Sequence, residues 1–381
     1  MSRRQAEVLL TPTPAWRPGR PAAGSAAEGR ASGLAALPST WIDLAKALAS
    51  QLIVWHHLSL YGPMCDVARS LAPTTLALLN EHARLVVQVF LVVGGFLAAS
   101  SLWPAPGARS RVGWRDIPAQ LWRRYQRLAR PYLLAMLAVI VAAWVARALI
   151  DHPTIPAPPE PGQLAAHILL LQDVMGFDSL SAGFWYVAVD FQLYALLLLL
   201  AVALRGLPGD TAQRAGTATA VMVALVLLSL LWWNLDSSLD AYAPYFIGSY
   251  GLGVLARWIR GRRAGPEAAT LALALLVGVA LIVEWRSRIA LAGATALLLC
   301  LAPEPAALKR APAKLGRAVI GYLSRVSYPV FLLHYPVILV TGAVVGNLWP
   351  DSVQMNALGM LAAWALSLLA GSAMYRAVEP R

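Results

Sequence analysis

The sequence predicts an all-α, polytopic membrane protein: a bundle of about ten transmembrane helices with both termini in the cytoplasm. Three observations predict it. Of the 381 residues, 59% are hydrophobic and 13% are charged, against about 25% charged in typical soluble domains. Apolar runs long enough to cross a hydrocarbon core recur along the chain. The basic residues cluster between alternate pairs of those runs.

Residues 1–40 are rich in Ala, Pro, Gly and Arg and contain no apolar h-region. They read as a disordered cytoplasmic tail rather than a secretory signal peptide. Residues 41–381 form the membrane domain. Its spans fall at about 41–62, 82–103, 129–150, 183–204, 217–235, 241–258, 267–284, 287–302, 326–347 and 355–377. The sixth and eighth are short and Gly-rich. Between the third and fourth lies a long outer loop, 151–182. There PTIPAPPEPG precedes the amphipathic QLAAHILLLQD, which is expected to lie as a lid at the outer interface.

Charge tests the alternation independently. With the N-terminus inside, the inner segments hold 26 of the 31 Lys+Arg. The outer segments keep only Arg69, Arg84, Arg147, Arg286 and Arg288, beside Asp151, Glu160, Asp173, Asp178, Asp236, Asp240 and Asp351. This is the positive-inside pattern. The net charge of +12 is therefore a topology signal, and no basic stripe on a soluble domain suggests a nucleic-acid partner. Cys65 and Cys300 fall at opposite ends of the bundle, too far apart for a disulfide. The six histidines lack metal-ligand spacing, so no metal is expected. No internal repeat is evident, which disfavours an inverted-repeat transporter.

Ionisable residues inside a membrane are costly and mark function. The first span carries Asp43, Lys46, His56 and His57. Lys46 and His57 are three helical turns apart, roughly 16 Å, and lie on one stripe of the helix. If the lysine sits at a membrane face, the histidine lies about halfway through a core of roughly 30 Å. One shared polar cavity is expected to hold both. Asp43, three residues before Lys46, is positioned to orient or neutralise it. In AQLWRRYQRLARPY, Arg123, Arg124, Arg127 and Arg130 recur at helical spacing before Pro131. Their planar forks suit phosphate groups, and anchoring to anionic lipid headgroups is the competing reading. In GFWYVAVDFQLYALLLLL, Asp190 sits two turns into the apolar run, followed by Gln192 and Tyr194. RVSYPVFLLHYPVIL carries Ser327, Tyr328, Tyr335 and a second intramembrane histidine, His334, and the chain closes with Glu379 near the inner face.

Together and in this order, these stretches resemble the integral-membrane acyltransferase-3 family. The family's R-x-D-x-x-[RK] followed by ten residues and His reads here as W-I-D-L-A-K, ALASQLIVWH and His57, with Trp41 in place of the leading arginine. VFLVVGGFLAAS is similar to F-F-x-x-S-G-F, with Gly94 where serine is usual, and RRYQRLARPY is similar to RRxxRxxP. FWYVAVDFQLY resembles W-Y-x-x-x-E-x-Q-x-Y with Asp190 for the glutamate, and the ends SRVSYPVFLLHYP and YRAVEP are similar to the family's S-Y-x-x-Y-L-x-H-x-P and closing E-R/K-P. The resemblance covers about 41–380. No extracellular catalytic domain is expected after the spans, unlike in the fused members.

The resemblance implies transfer of an acyl group, usually acetyl, from a coenzyme A thioester to a hydroxyl, with no tightly bound cofactor. It implies a hydroxyl-bearing acceptor, commonly a glycan or glycolipid, and residence in a bilayer, here taken as a bacterial inner membrane. An alcohol needs a general base, and His57 is the candidate, although transient acylation of the ring is an alternative. The expected site is His57, Asp43 and Lys46 for catalysis, Arg124, Arg127 and Arg130 for the donor phosphates, and Asp190, Tyr194 and His334 for the acceptor or for orienting the base. A transporter or flippase using the same polar cavity, or a non-catalytic membrane scaffold, are the competing classes.

Overall fold

The computed structural model describes residues 39–108, 112–262, 264–301 and 313–378. All but the last two residues of the expected tail, and Glu379 and Pro380 of the closing motif, lie outside them. Among the described residues every regular element is a helix. In chain order they are α1 (Ser39–Leu60), α2 (Met64–Ala68), α3 (Pro73–His82), α4 (Val87–Leu102), α5 (Ile117–Leu149), α6 (Pro161–Ile168) and α7 (Phe184–Arg205). There follow α8 (Thr211–Leu231), α9 (Ala243–Arg260), α10 (Pro266–Val283), α11 (Ser287–Leu301), α12 (Ala313–Leu348) and α13 (Val353–Val378).

Helices occupy each of the ten expected span positions, and the chain is an integral, multi-pass membrane protein. Among the described residues, seven helical segments are long and apolar enough to cross a bilayer: 73–102, 114–149, 184–205, 211–235, 266–283, 316–348 and 353–378. Three expected spans fall short of that measure for physical reasons. α1 is diluted by Asp43, Lys46, Gln51, His56 and His57. α11 has only 15 residues. α9 is rich in Gly and Tyr and ends in Arg257 and Arg260.

α9 is polar and small-sided because it faces protein rather than lipid: Tyr245 through Ile259 are all buried. It crosses α4 backbone against backbone. A Cβ added at Gly95 would collide with the Tyr250 carbonyl oxygen, and one at Gly253 with that of Val92. Small residues at such crossings are what lets membrane helices approach closely without a hydrophobic drive. Gln192 of α7 then locks the entry to α9, donating to the Ala241 carbonyl at 3.1 Å and accepting from the Ala243 amide at 3.0 Å.

Two helices run well past their apolar windows. α5 begins twelve residues before its expected start and continues through Pro131. α12 has 36 residues and continues through Pro329 and Pro336. Their polar halves are invisible to hydropathy but add a continuous scaffold for Arg124, Arg127, Arg130 and Arg325.

The segment after α5 folds back onto the bundle. Tyr335 donates to the Thr154 carbonyl at 3.0 Å, and Tyr125 donates to that of Ile168 at 2.7 Å. Under α6, His167 is buried; its Nδ1–H donates to the Gln163 carbonyl and its Nε2 accepts from the Leu180 amide, at 2.9 and 3.1 Å. Ile168, Leu169, Leu171, Val174 and Met175 remain exposed on its other side. The contact with Tyr125, which precedes the expected third span, places Ile168 against the first half of α5 rather than beyond the outer end of that helix. Cys65 and Cys300 are both free thiols.

Candidate active site

The site is built where α1, α5, α7 and α12 face one another. His57 and His334 are both buried, and His334 Nε2 lies 2.7 Å from His57 Nδ1. The rings stack with centroids 4.8 Å apart. His334 Nδ1 faces the Val330 carbonyl oxygen at 3.3 Å, which can only accept. The tautomers follow by assignment from this network. His334 carries its proton on Nδ1 and accepts at Nε2, so His57 donates from Nδ1 and keeps a lone pair at Nε2. His56, the neighbour in sequence, borders the same cavity as His57, with its Nδ1 3.3 Å from the Leu79 carbonyl oxygen of α3. Tyr61 stacks on His57 with centroids 5.6 Å apart.

His57 lines a cavity of about 560 Å³ together with Gln88, Asp173, Trp185, Asp240, Tyr245 and Arg288. Arg288 is anchored there by donating to the Tyr245 hydroxyl at 2.6 Å and to the Asn234 carbonyl at 2.8 Å. Asp173, on the folded-back segment, has its carboxyl pushed above the usual range by burial. Lys46 does not share this cavity, contrary to the expectation of one polar cavity. It lines a second space of about 250 Å³ with Arg124, Arg127, Asp190, Ser327 and Tyr328. It also lines a third of about 560 Å³ with Arg123, Arg127, Arg130 and Arg325. Lys46, Arg127, Ser327 and Tyr328 border both of the latter.

The remaining expected residues divide. Asp43 does not form an ion pair with Lys46 among the described residues; its carboxylate accepts from the Ser324 hydroxyl at 2.6 Å, tying α1 to α12. Arg124 leaves the phosphate-type cluster and forms an ion pair with Asp190. Its guanidinium carbon lies 4.9 Å over the Tyr194 ring. Asp190 and Tyr194 are therefore organised around Arg124 and away from His57. The helical spacing explains the split. Arg123, Arg127 and Arg130 share one edge of α5, whereas Arg124 is rotated towards α7. Arg325 was missed as a site residue because it reads as one more basic residue at the inner end of a span. Its two-residue distance from Ser327 is the signal that could have found it.

The arrangement offers an imidazole with a free lone pair on one side and five basic side chains around a separate cavity on the other. A family model described as an acyltransferase domain matches residues 39–376, which runs from α1 nearly to the end of α13. No curated protein and no solved structure matches the chain.

Proposed function

Since the chain belongs to the acyltransferase-3 family and is a membrane acyltransferase, we propose that it moves an acetyl group from acetyl-CoA to a hydroxyl of a carbohydrate acceptor, with His57 as general base. The observation that carries this reading is the His57–His334 pair, which leaves one imidazole nitrogen free at the wall of a large polar cavity. A base oriented by a second side chain is the recurring arrangement for activating weak nucleophiles.

In the proposed reaction the acceptor hydroxyl hydrogen-bonds His57 Nε2. Its oxygen attacks the thioester carbonyl carbon as its proton passes to Nε2. The resulting imidazolium holds its Nδ1–H on His334 Nε2. The tetrahedral adduct then expels the thiolate, breaking the C–S bond, and His57 returns the proton to sulfur. The acceptor cavity suits a sugar: Trp185, Tyr245 and Phe246 offer ring faces, and Gln88, Asp173, Asp240 and Arg288 offer hydrogen bonds.

The donor's phosphates belong in the basic cavity. Arg123, Arg127, Arg130, Arg325 and Lys46 surround it without a carboxylate among the described lining residues, and arginine forks fit phosphate oxygens. In this reading ten helices cross a bacterial inner membrane and both chain ends lie in the cytoplasm. The basic cavity then faces the cytoplasmic pool of the donor, and the histidine cavity faces outward. Replacing Arg127 and Arg130 together by glutamine is expected to raise KM for acetyl-CoA by roughly tenfold per residue, about 1.4 kcal/mol each, with kcat at saturating donor little changed. Steady-state kinetics in nanodiscs check this, and an unchanged KM removes both from the donor site.

The reading as a whole is tested by incubating the purified protein with labelled acetyl-CoA and a membrane glycan extract. Mass spectrometry of the products should find the label on a carbohydrate hydroxyl. Movement of a glycolipid without loss of acetyl-CoA would support the flippase reading instead.

A further inference from the structure

The His57 cavity and the middle cavity have one lining residue in common, Phe331 of α12. The boundary between them can be traced around the bundle. On α1, Ile53 and His57 lie on one side and Lys46 on the other. On α4, Gln88 belongs to the first cavity and Phe90 to the second, and on α7 Trp185 and Tyr186 divide in the same way. At the boundary three aromatic rings close a triangle. Phe331 lies 5.6 Å from Tyr186 and 6.2 Å from Phe90, and Phe90 lies 6.1 Å from Tyr186. Phe331 is 5% exposed, and its ring ends against Gly183, where a Cβ would come within 2.8 Å of it. Its ring centroid is 6.1 Å from that of His334, the partner of His57.

We propose that Phe331 is a positioning and gating residue: a ring septum that keeps the two cavities apart at rest and turns aside to admit the acylated end of the donor to His57. This rests on the assignment of acyl transfer to the site. The chemistry requires some such device. Lys46 and His57 are roughly 16 Å apart along α1, so a donor anchored by its phosphates reaches the imidazole only through an extended arm. A permanently open passage would let water from the sugar-sized cavity reach the thioester. Water's oxygen would then bond to the carbonyl carbon, the C–S bond would break, and the thiolate would leave with water's proton, wasting the donor as free acid and thiol. Excluding water from reactive intermediates is a general function of closed active sites. A phenylalanine suits the task because its ring seals by packing and swings about only two torsions.

The test compares wild type, Phe331→Ala and Phe331→Tyr in sealed proteoliposomes. Thiol release from acetyl-CoA is measured without acceptor and acetyl transfer with it. Phe331→Ala is expected to raise the ratio of hydrolysis to transfer by at least about tenfold, equivalent to about 1.4 kcal/mol in relative barrier, while Phe331→Tyr, which keeps the ring, returns the ratio towards wild type. A purely structural role would lower both rates together. A second measurement is independent of turnover. Gly94 lines the middle cavity, and a Cβ there meets only ordinary contacts, the nearest at 3.5 Å. In a background with Cys65 and Cys300 replaced by alanine, an impermeant thiol reagent supplied to the His57 side should label Gly94→Cys much faster when Phe331 is alanine. Wild type that turns over with no change of ratio in Phe331→Ala overturns the septum alone. Wild type that consumes no acetyl-CoA, with labelling still controlled by residue 331, overturns the acyltransfer reading and leaves the barrier standing. Equal labelling in both backgrounds overturns the barrier whatever the turnover.

Discussion

Changing His57 to alanine is expected to lower acetyl transfer by about 10²–10⁴-fold, the range general-base catalysis contributes, with donor affinity retained. The reasons are geometric. Nε2 of His57 is the imidazole nitrogen that the hydrogen-bond network leaves free at the cavity, since Nδ1 is committed to His334 at 2.7 Å and both nitrogens of His334 are occupied. The variant also strands the His334 acceptor in a buried site, a cost of about 1–3 kcal/mol. Thermal unfolding in nanodiscs should therefore show a lower but cooperative transition. His57→Gln, which keeps an amide group near His334 without a base, separates the two effects: near wild-type stability and the same loss of rate. Substantial turnover in a well-folded His57→Ala protein would remove the ring from the chemistry.

The largest expected effect on stability comes from Asp190→Ala. The Asp190 carboxylate pairs with Arg124, whose side chain is 21% exposed against 9% for its partner. The pair joins α5 to α7. Removing one partner of a buried ion pair leaves an uncompensated charge and costs about 3–5 kcal/mol. The partial exposure of Arg124 puts the expected loss at the low end of that range. Burial makes the complementary result informative. Replacing both residues, Arg124→Met with Asp190→Leu, should recover much of the loss, because an apolar pair of similar volume avoids the desolvation cost. Denaturant unfolding followed by tryptophan fluorescence reads both. Equal stability of wild type and Asp190→Ala would mean that the pair does not hold the two helices together.

Much of the helix arrangement was legible in the chain because each apolar run is a local signal. Helices stand at all ten expected positions. What local reading missed has identifiable causes. The polar first half of α5 lies outside the apolar run, so only the helical spacing of its arginines marks it, and the helix continues through Pro131. The early start of α8 is signalled by a capping box, Asp210 accepting from the Gln213 amide at 2.8 Å, four residues before Arg214 and outside the apolar window. In the site, His57 lines one cavity and Lys46 with Arg127 lines the other two, while His334 is reached only through its contact with His57. Partner choice was not legible. Asp43 lies three residues from Lys46 yet bonds to Ser324, and Arg124 lies among three other arginines yet pairs with Asp190. Such pairings are decided by which helix packs alongside, a contact between residues 66 or 281 positions apart that a single sequence does not encode locally.

The most direct test is a cryo-electron-microscopy structure in nanodiscs with a non-hydrolysable thioether analogue of acetyl-CoA. The expected density has phosphates against Lys46, Arg127 and Arg130 and the arm passing the displaced Phe331 ring. The acyl carbon should lie where an acceptor oxygen could sit about 3 Å from His57 Nε2. An analogue bound with its acyl end away from His57, or with its phosphates in the His57 cavity, would contradict the assignment.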